Sequence, residues 1–489
     1  MSPILLILIP LGMAPLAYIS RHLSPLAALL SAATTLAMIR LCLEIPLGAS
    51  AQVLGRELAL DPLSRSTLLF LLAVATASLS YAWPVPQGQL FPSFVLLILA
   101  PLIGAIMIRN FLIAALLLEM AAIITVFLMQ GDRGGSTDKL SPRRLQVPSP
   151  DEASCPPGRE KASCAQGRGD SLSTGASLGY LIVVMVATPS LLLASWLLDL
   201  YTIHPEDPTP IRYIVTLLAL GFGLLLAAVP LHLWLPAIVA EAPAMVTALV
   251  VSIIEPAILF LLLSLLGSFP WLTTETQAPA IMTVGGLLTA LVGGIMAFSQ
   301  GDLGHLLAYS AISDLGCILV SLGIGSPSGV AVALLHVVNR SISVLLGSMS
   351  LAAIRHRLAS DSFNDLGGVA RRMPFTTIGL IIGGMALGGF PPFHGFASRW
   401  LIYRAAMEQD PTYAYLLILA GGSVVLGYVR AIRALFGAPK GAEIGREPWV
   451  AAVMIIALVI LSLAMGLYPQ LALEPILALV EGIGTGAAD

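Results

Sequence analysis

Six ionisable side chains lie inside long apolar runs, where a charge costs several kcal/mol and therefore points to a function. They are Glu119, Glu255, Asp314, His336, Arg340 and Arg399. Carboxylates and imidazoles at low dielectric, with water between them, can pass protons from one group to the next. Because a nearby cation changes the affinity of a buried carboxylate for its proton, moving the cation switches the site. The set predicts a proton relay.

Some of these side chains also have a purely structural interpretation. Asp314 can be a residue at a helix end, because its run starts near a loop. His232 and His394 can serve only to satisfy backbone groups that a helix break sets free. Glu119 is the hardest to explain structurally, since a lone acid in the middle of an apolar run is rare.

Two apolar runs are interrupted by prolines in the same way. The first contains "VPLHLWLP" and the second "GGFPPFHGFASRW", residues 388–400; the marking residues are Pro230, His232, Trp234, Pro236, Pro391, Pro392 and His394. Discontinuous helices at matching places in two halves of a chain indicate an inverted-repeat transporter. The freed carbonyls and amides of such breaks can bind water or an ion.

The composition places most of the chain in lipid. Of its 489 residues 57% are hydrophobic and 10% are charged, whereas soluble domains carry about 25% charged residues. Because lipid cannot hydrogen-bond a backbone, the long apolar runs must be helices. The net charge of −3 gives no basic surface for nucleic acid.

The apolar runs give the organisation of an all-α membrane protein with about fourteen transmembrane helices. We expect N-terminal helices in 1–108, a first repeat in 109–130 and 178–268, a polar insertion in 131–177, a second repeat in 279–436, and a C-terminal helix and tail in 437–489. The N-terminus is predicted to be the first membrane helix, because it lacks the basic region of a signal peptide.

The insertion 131–177 is rich in Pro, Gly, Ser and charged residues, which predicts a mobile loop. Its basic residues favour the cytoplasmic side. Cys155 and Cys164 lie in it. A disulfide between them requires an oxidising compartment, and two free thiols are the alternative.

Three stretches resemble the antiporter-like subunits (N, M and L types) of respiratory complex I, which are related to Mrp antiporters and hydrogenase subunits. "VPLHLWLPAIVAEAPAMVTALV" is similar to "PxHxWLPDAHxxAPTPVSALL". "SQGDLGHLLAYSAISDLG" is similar to "xQxDLKRLLAYSSISQLG", and 364–400 to "DLGGLARRMPxTxxxFxIGxLALxGLPPFxGFxSKW". "LLLEMAAI" matches a glutamate motif of the fifth helix. The resemblance implies fourteen helices, two inverted five-helix repeats, two discontinuous helices and a line of charged residues at the midplane.

The resemblance also assigns roles, and this chain departs from several of them. Glu119 matches the fifth-helix glutamate, His336 the eleventh-helix histidine and Arg399 the twelfth-helix lysine. Leu225 stands where the family has a lysine before the first break, and Glu255 where it has a central lysine. Leu225 cannot compensate the negative charge of Glu119. An arginine such as Arg399 holds its proton too firmly to transfer it easily. The relay is therefore predicted to be modified.

Three functions remain open on these residues. The chain is a proton-conducting membrane-arm subunit of a complex I-like (NADH:quinone oxidoreductase-type) assembly, a non-conducting structural subunit of the same assembly, or an Mrp-like antiporter or hydrogenase-type subunit. No dinucleotide, Walker or iron–sulfur motif is found, so we expect no cofactor, no metal and no catalytic residue in this chain. The expected partners are other membrane subunits, lipid, and protons or Na⁺, in a bacterial or archaeal cytoplasmic membrane.

Overall fold

The structure is a computed structural model that describes residues 2–53, 55–130, 161–204, 208–439 and 445–485. For Val53, 161–174, Pro327 and 480–485 only the backbone is described. Residues 131–160, with Cys155, lie outside the described part, and the side chain of Cys164 is not described. The polar insertion predicted for 131–177 can therefore be followed only from Lys161, where the backbone is already helical.

Helices account for nearly all of the regular structure. The first half contains α1 (Leu5–Ile19), α2 (Ser24–Glu44), α3 (Pro62–Tyr81), α4 (Phe91–Met107), α5 (Phe111–Gln130), α6 (Lys161–Ile203), α7 (Thr209–Leu225), α8 (Trp234–Glu241), α9 (Ala244–Leu249) and α10 (Glu255–Ser268). The second half contains α11 (Trp271–Thr274), α12 (Ala278–Ser299), α13 (Leu303–Gly323), α14 (Pro327–Leu358), α15 (Val369–Arg372), α16 (Pro374–Leu387), α17 (His394–Gln409), α18 (Pro411–Leu435), α19 (Trp449–Leu467) and α20 (Gln470–Thr485). One hairpin, β1 (Ser50–Val53) with antiparallel β2 (Arg56–Ala59), joins α2 to α3.

The predicted all-helical membrane fold is confirmed. Within the described residues, 11 helices are long and apolar enough to cross a membrane, and shorter apolar helices include α4, α7 and α16. Many large apolar side chains point outward, such as Ile19 at 74% and Ile182 at 62% exposure. Such surfaces are stable only against lipid or another apolar protein. The number of fourteen spans stays a prediction.

The centre of the molecule is α13, in which every residue from Leu303 to Gly323 is buried except His305, which is half-buried. It packs closely on α12, because glycines remove side chains from the contact. A methyl group on Gly286 would lie 2.8 Å from the Gly316 carbonyl oxygen and the Val320 amide nitrogen. Close approach through small residues is how membrane helices gain packing energy. This packing holds the middle of α13 inside the bundle.

Both predicted breaks are present as irregular backbone between two half-helices. The first break, residues 226–233, separates α7 from α8, and the second, residues 388–393, separates α16 from α17. Ala227 (φ 56°) and Gly389 (φ 74°) each begin the turn, and a cis proline, Pro230 or Pro392, follows each at the same spacing.

The backbone hydrogen bonds of the two breaks also correspond one to one. In the first break the amides of Leu226, Ala228 and Leu231 donate to the carbonyl oxygens of Phe222 (2.9 Å), Gly223 (2.9 Å) and Ala228 (2.6 Å). In the second break the amides at the matching positions, Gly388, Phe390 and Phe393, donate to the carbonyl oxygens of Gly384 (3.1 Å), Met385 (2.9 Å) and Phe390 (3.2 Å). Two unrelated helix ends would not share this pattern. It supports the predicted pairing of two halves, while the division of the chain into inverted repeats stays a prediction.

Two adjacent glycines of α12 allow the α12–α13 contact to be tested. We expect Gly286→Ala to lower the thermal stability of the purified protein, since an added methyl group in a closed contact costs about 1–3 kcal/mol. Gly285→Ala is the matched control, because its methyl group would meet nothing within 4 Å. The measurement is the melting temperature in detergent. Equal melting temperatures for the two variants would contradict the packing described.

Candidate functional site

The candidate site is centred on Asp314 in the middle of α13, with 2% of its side chain exposed. One carboxylate oxygen, Oδ1, accepts hydrogen bonds from Arg399 Nη2 at 2.6 Å and from Arg399 Nε at 3.1 Å. The same oxygen lies 3.1 Å from His336 Nε2. A buried carboxylate needs such compensation, because an unpaired charge in the interior costs several kcal/mol. Asp314 therefore belongs to an ionic cluster and is not a helix-end residue.

The second break brings Arg399 to Asp314. Because α17 restarts at His394, Arg399 lies in its second turn and its side chain reaches α13. Glycine makes room for the guanidinium group: a methyl group on Gly389 would collide with the Arg399 side chain, and one on Gly421 would lie 2.7 Å from Arg399 Nη1. Arg399 Nη1 also donates to Tyr403 Oη at 3.1 Å. The break thus delivers a fixed cation to the buried acid.

His336 on α14 is held by hydrogen bonds from both of its ring nitrogens. Nε2 faces Asp314, and Nδ1 lies 2.8 Å from Ser398 Oγ. Ser398 Oγ in turn accepts from Asn339 Nδ2 at 2.8 Å, and Asn339 Nδ2 also donates to the His394 carbonyl oxygen at 3.0 Å. The imidazole is positioned between an acid and a hydroxyl group, which is the arrangement that a proton carrier requires.

His394 lies at the second break but does not contact Asp314. Its Nδ1 is 2.6 Å from Ser462 Oγ, and its Nε2 is 2.9 Å from Ser343 Oγ and from the Asn339 carbonyl oxygen. The ring therefore ties α17 to α14 and α19. This geometry favours the structural interpretation of His394.

A second ionic pair joins Glu255 to Arg340. Arg340 Nη2 lies 2.6 Å from Glu255 Oε2, with side-chain exposures of 1% and 0%. The pair does not have hydrogen-bond geometry, so both carboxylate oxygens and Nη2 have no hydrogen-bond partner among the described residues. Arg340 donates instead to two carbonyl oxygens, those of Ala311 at 3.1 Å and Val251 at 3.3 Å.

The backbone next to Glu255 is unusual. Residues Val250–Ile254 form a π-helical turn between α9 and α10. Such turns free a carbonyl group and occur often at functional sites. Here Arg340 donates a hydrogen bond to the Val251 carbonyl oxygen. It donates another to the carbonyl oxygen of Ala311, which lies on α13, the helix that carries Asp314. Arg340 is therefore the physical connection between the Glu255 pair and the Asp314 cluster.

Among the residues that the structure describes, the first half of the chain has no comparable cluster of buried charges. Glu119 on α5 is only partly buried, and no ion pair or hydrogen bond of its carboxylate is found within the described part of the chain. Leu225, the last residue of α7, is 8% exposed and offers no cation. The structure thus does not bring Glu119 into the network that joins the other acids.

Two donor groups at the first break have partners within the protein. Trp234 Nε1 donates to the Leu224 carbonyl oxygen at 2.9 Å, and the Val229 amide donates to Thr289 Oγ1 at 3.1 Å. His232 stacks edge-on with Tyr309 at 6.2 Å between ring centroids, and its Nδ1 has no partner among the residues described. Pro236 is buried in α8.

A cavity of about 220 Å³ lies against this break. Its lining side chains are all apolar and come from α7, the break and α10 to α13; they include Phe222, Leu226, Pro230, Leu262 and Met282. A cavity lined in this way stays dry. The first break therefore opens onto an apolar space, whereas the second delivers Arg399 to a carboxylate.

The Asp314 cluster offers one set of atoms with metal-like spacing. The ligand atoms of Asp314, Cys317 and His336 lie within 4.8 Å of one another. A metal ion there would face the guanidinium group of Arg399, which already holds Asp314 Oδ1. The residues fit a charge-paired cluster better than a cation site.

Several members of the cluster had no signal in the residue pattern. Ser398, Tyr403 and Cys317 look like ordinary core residues, and only their tertiary position reveals them. The i, i+4 spacing of Arg399 and Tyr403 does place them on one helix face. That spacing is the only sequence signal that could have identified Tyr403.

The comparisons agree with this architecture. Residues 176–426 match the family model for the transmembrane part of NADH:quinone oxidoreductase and Mrp antiporters. The chain is 29% identical over 272 residues to NADH-quinone oxidoreductase subunit N 2 of Acidobacterium capsulatum. The matched region covers 53% of this chain and 55% of that protein. The chain thus spans about half the length of this curated relative.

Two solved structures share the fold over nearly the whole chain. One is the archaeal membrane-bound sulfane sulfur reductase (TM-score 0.82, 20% identity, 98% of this chain and 97% of that chain). The other is respiratory complex I from Thermus thermophilus (TM-score 0.73, 21% identity, 99% of each chain). The resemblance predicted from the motifs is confirmed: the chain belongs to the NADH:quinone oxidoreductase/Mrp antiporter transmembrane family.

Proposed function

We propose that this chain is an antiporter-like subunit in the membrane arm of a complex I-type assembly, and that it carries protons through its centre and second half. The observation that carries the proposal is two neighbouring groups of buried charges, the Glu255–Arg340 pair and the His336–Asp314–Arg399 cluster. Arg340 and His336 are four residues apart on α14, which places them on one face of that helix. Burying five ionisable groups is costly, and membrane proteins retain them where ions or protons move.

The carriers in this scheme are the carboxylates and the imidazole. An arginine stays protonated in proteins, so Arg340 and Arg399 set the charge around the carriers and do not themselves exchange protons. When Glu255 takes up a proton, its attraction for Arg340 is lost. Arg340 then keeps only its bonds to backbone carbonyls and can turn toward α13. A proton on Glu255 thereby changes the field at Asp314 and His336.

The first half is assigned a supporting role. A lysine in place of Leu225 would balance Glu119 and draw water into the break, whereas leucine leaves the acid without a cation and the adjoining cavity apolar. The absence of a cation at Leu225 also favours the second candidate function, a non-conducting structural subunit of the same assembly. An Mrp-like antiporter that works without redox partners is the third.

The partners and the location follow from the proposal. The outward-facing apolar side chains suit neighbouring membrane subunits and lipid. The transported ion is a proton, with Na⁺ as the alternative, and the membrane is the cytoplasmic membrane of a bacterium or archaeon. The electron chemistry lies in other subunits.

Removing the central acid Glu255 is expected to reduce proton pumping. In the whole complex reconstituted into vesicles, Glu255→Gln should lower the number of protons moved per electron pair, because the carrier at the junction of the network is lost. Glu119→Gln should leave that number almost unchanged. Glu408→Gln, an exposed acid paired with Arg404 on α17, is the control for loss of charge. A normal proton count in Glu255→Gln would exclude the proposed relay.

The Asp314–Arg399 pair allows a test that separates charge pairing from folding. We expect Asp314→Asn or Arg399→Gln alone to lower the free energy of unfolding by about 3–5 kcal/mol, since each leaves an uncompensated buried charge. The double variant should be more stable than the less stable single variant, and should still not pump. Thermal unfolding in detergent gives the stabilities. Simple additivity of the two effects would mean that the pair is not coupled.

A further inference from the structure

A basic hollow lies at the C-terminal end of α18 and contains none of the buried charges described above. Its volume is about 340 Å³. One wall comes from the segment that follows α14 and includes Phe363 and Asn364, and the other comes from α18 and includes Arg430 and Arg433. No acidic side chain is among the described residues that line it. We call Phe363, Asn364, Arg430 and Arg433 the arginine hollow.

The two positive charges of the hollow are not compensated within the described part of the chain. Arg430 and Arg433 are exposed and three residues apart, so they lie on one face of α18. Arg430 donates to the Phe298 carbonyl oxygen, and the side chain of Arg433 has no ion pair or hydrogen bond there. The end of a helix supplies about half a negative charge, which is less than two guanidinium groups carry. The hollow is therefore suited to an anion.

Arg430 is held in place before any anion arrives. Besides its hydrogen bond to the Phe298 carbonyl oxygen, its guanidinium carbon lies 5.5 Å from the ring centroid of Phe298 and 5.8 Å from that of Phe363. A cation within about 6 Å of an aromatic centroid is attracted to the ring. Because the side chain is already ordered, binding loses less conformational entropy than it does with a free arginine.

The opposite wall is fixed by backbone pairing and adds a neutral donor. The Phe363 amide donates to the Gly301 carbonyl oxygen at 2.9 Å. This bond fastens the wall to the start of α13, next to the side-chain amide of Asn364, which can donate to an oxyanion. The acid that follows, Asp365, does not line the hollow and accepts from Ser360 Oγ at 2.6 Å. The nearest acid in the sequence is thus engaged elsewhere.

The surroundings of the hollow favour a lipid over a free anion. Leu426 and Val429 precede Arg430 and Arg433 by four residues each, which places each apolar side chain one turn closer to the middle of α18 on the same face. They are 54% and 48% exposed. A molecule with a phosphate group and apolar chains can therefore contact the guanidinium groups and the apolar face of α18 together.

The same side of the molecule carries further exposed basic residues. Arg371 and Arg372 on α15 belong to the connection between α14 and α16 that also contributes one wall of the hollow. Short connections rich in arginine lie mostly on the cytoplasmic side. The cytoplasmic leaflet is the one whose anionic lipids attract basic segments close to the membrane surface.

We propose that the arginine hollow binds the phosphate group of an anionic phospholipid, with the acyl chains lying along Leu426 and Val429. The planar guanidinium group of Arg433 can donate two parallel hydrogen bonds to phosphate oxygens, which an ammonium group cannot. Arg430 adds a second charge from a fixed position, and Asn364 adds a neutral donor. The site lies apart from the proton path proposed above and does not depend on it.

The test measures lipid binding to the intact complex in mild detergent. The probe is phosphatidylglycerol with a photoreactive group in one acyl chain, and mass spectrometry quantifies the label on the peptide around Leu426 and Val429 after digestion with a protease that does not cut at arginine. We expect Arg433→Gln to lower the affinity about tenfold, as a lost hydrogen bond between charged groups does. Arg433→Lys, which keeps the charge without the planar fork, should lie in between.

The matched control is Arg372→Gln, which removes one exposed charge from the same side of the molecule without touching the hollow. It should label as the unchanged protein does. Asn364→Ala is a second variant inside the hollow and should also lower the labelling. Because Arg433 is exposed and has no partner in the described part of the chain, its substitution should leave the melting temperature unchanged.

Competition separates the two sources of a phosphate group. Unlabelled phosphatidylglycerol should displace the probe, whereas phosphatidylcholine, which has no net charge, and inorganic phosphate at the same concentration should not. Displacement by inorganic phosphate would overturn the assignment to a lipid. Equal labelling of Arg433→Gln and Arg372→Gln, whether both high or both reduced, would overturn the site itself, because only general attraction to a basic surface would then remain.

Discussion

Everything in the centre of this protein depends on the need to compensate a carboxylate that lies inside the membrane. Asp314 is held in the middle of the most buried helix, and its charge requires both Arg399 and His336 within hydrogen-bond distance. Arg399 can reach it only because α17 starts anew after the second break. His336 can reach it only because Ser398 and Asn339 fix its ring. One ionic requirement thus explains the glycines beside Arg399 and the polar residues around His336.

The same requirement distinguishes the two halves. The breaks of the two halves share their backbone geometry down to individual hydrogen bonds, so the chain builds the same local scaffold twice. Only the second scaffold carries a cation to an acid. In the first, α7 ends in Leu225, the break adjoins a cavity lined by apolar side chains, and Glu119 has no cation partner among the described residues. The buried ion pairs of the described chain therefore lie in its centre and second half, with Glu255 and Arg340 at the junction of the halves.

Much of this could be predicted from the residues alone, and the rest could not for identifiable reasons. Proline, histidine and aromatic residues inside apolar runs predicted both breaks, because their effect on a helix is local. The six ionisable residues inside apolar runs were visible for the same reason. Their pairing was not, since Glu255 and Arg340 are far apart in sequence and meet only because α9 and the π-helical turn pack on α14. The π-helical turn before Glu255 and the apolar cavity at the first break likewise arise from tertiary contacts.

The central claim is that protons move through Glu255 and not through Glu119. Infrared difference spectroscopy of the whole complex during turnover tests it most directly, because the carbonyl stretch of a protonated carboxyl group reports each proton uptake. We expect a carboxyl band that disappears in Glu255→Gln and persists in Glu119→Gln. A band that persists in Glu255→Gln and disappears in Glu119→Gln would contradict it.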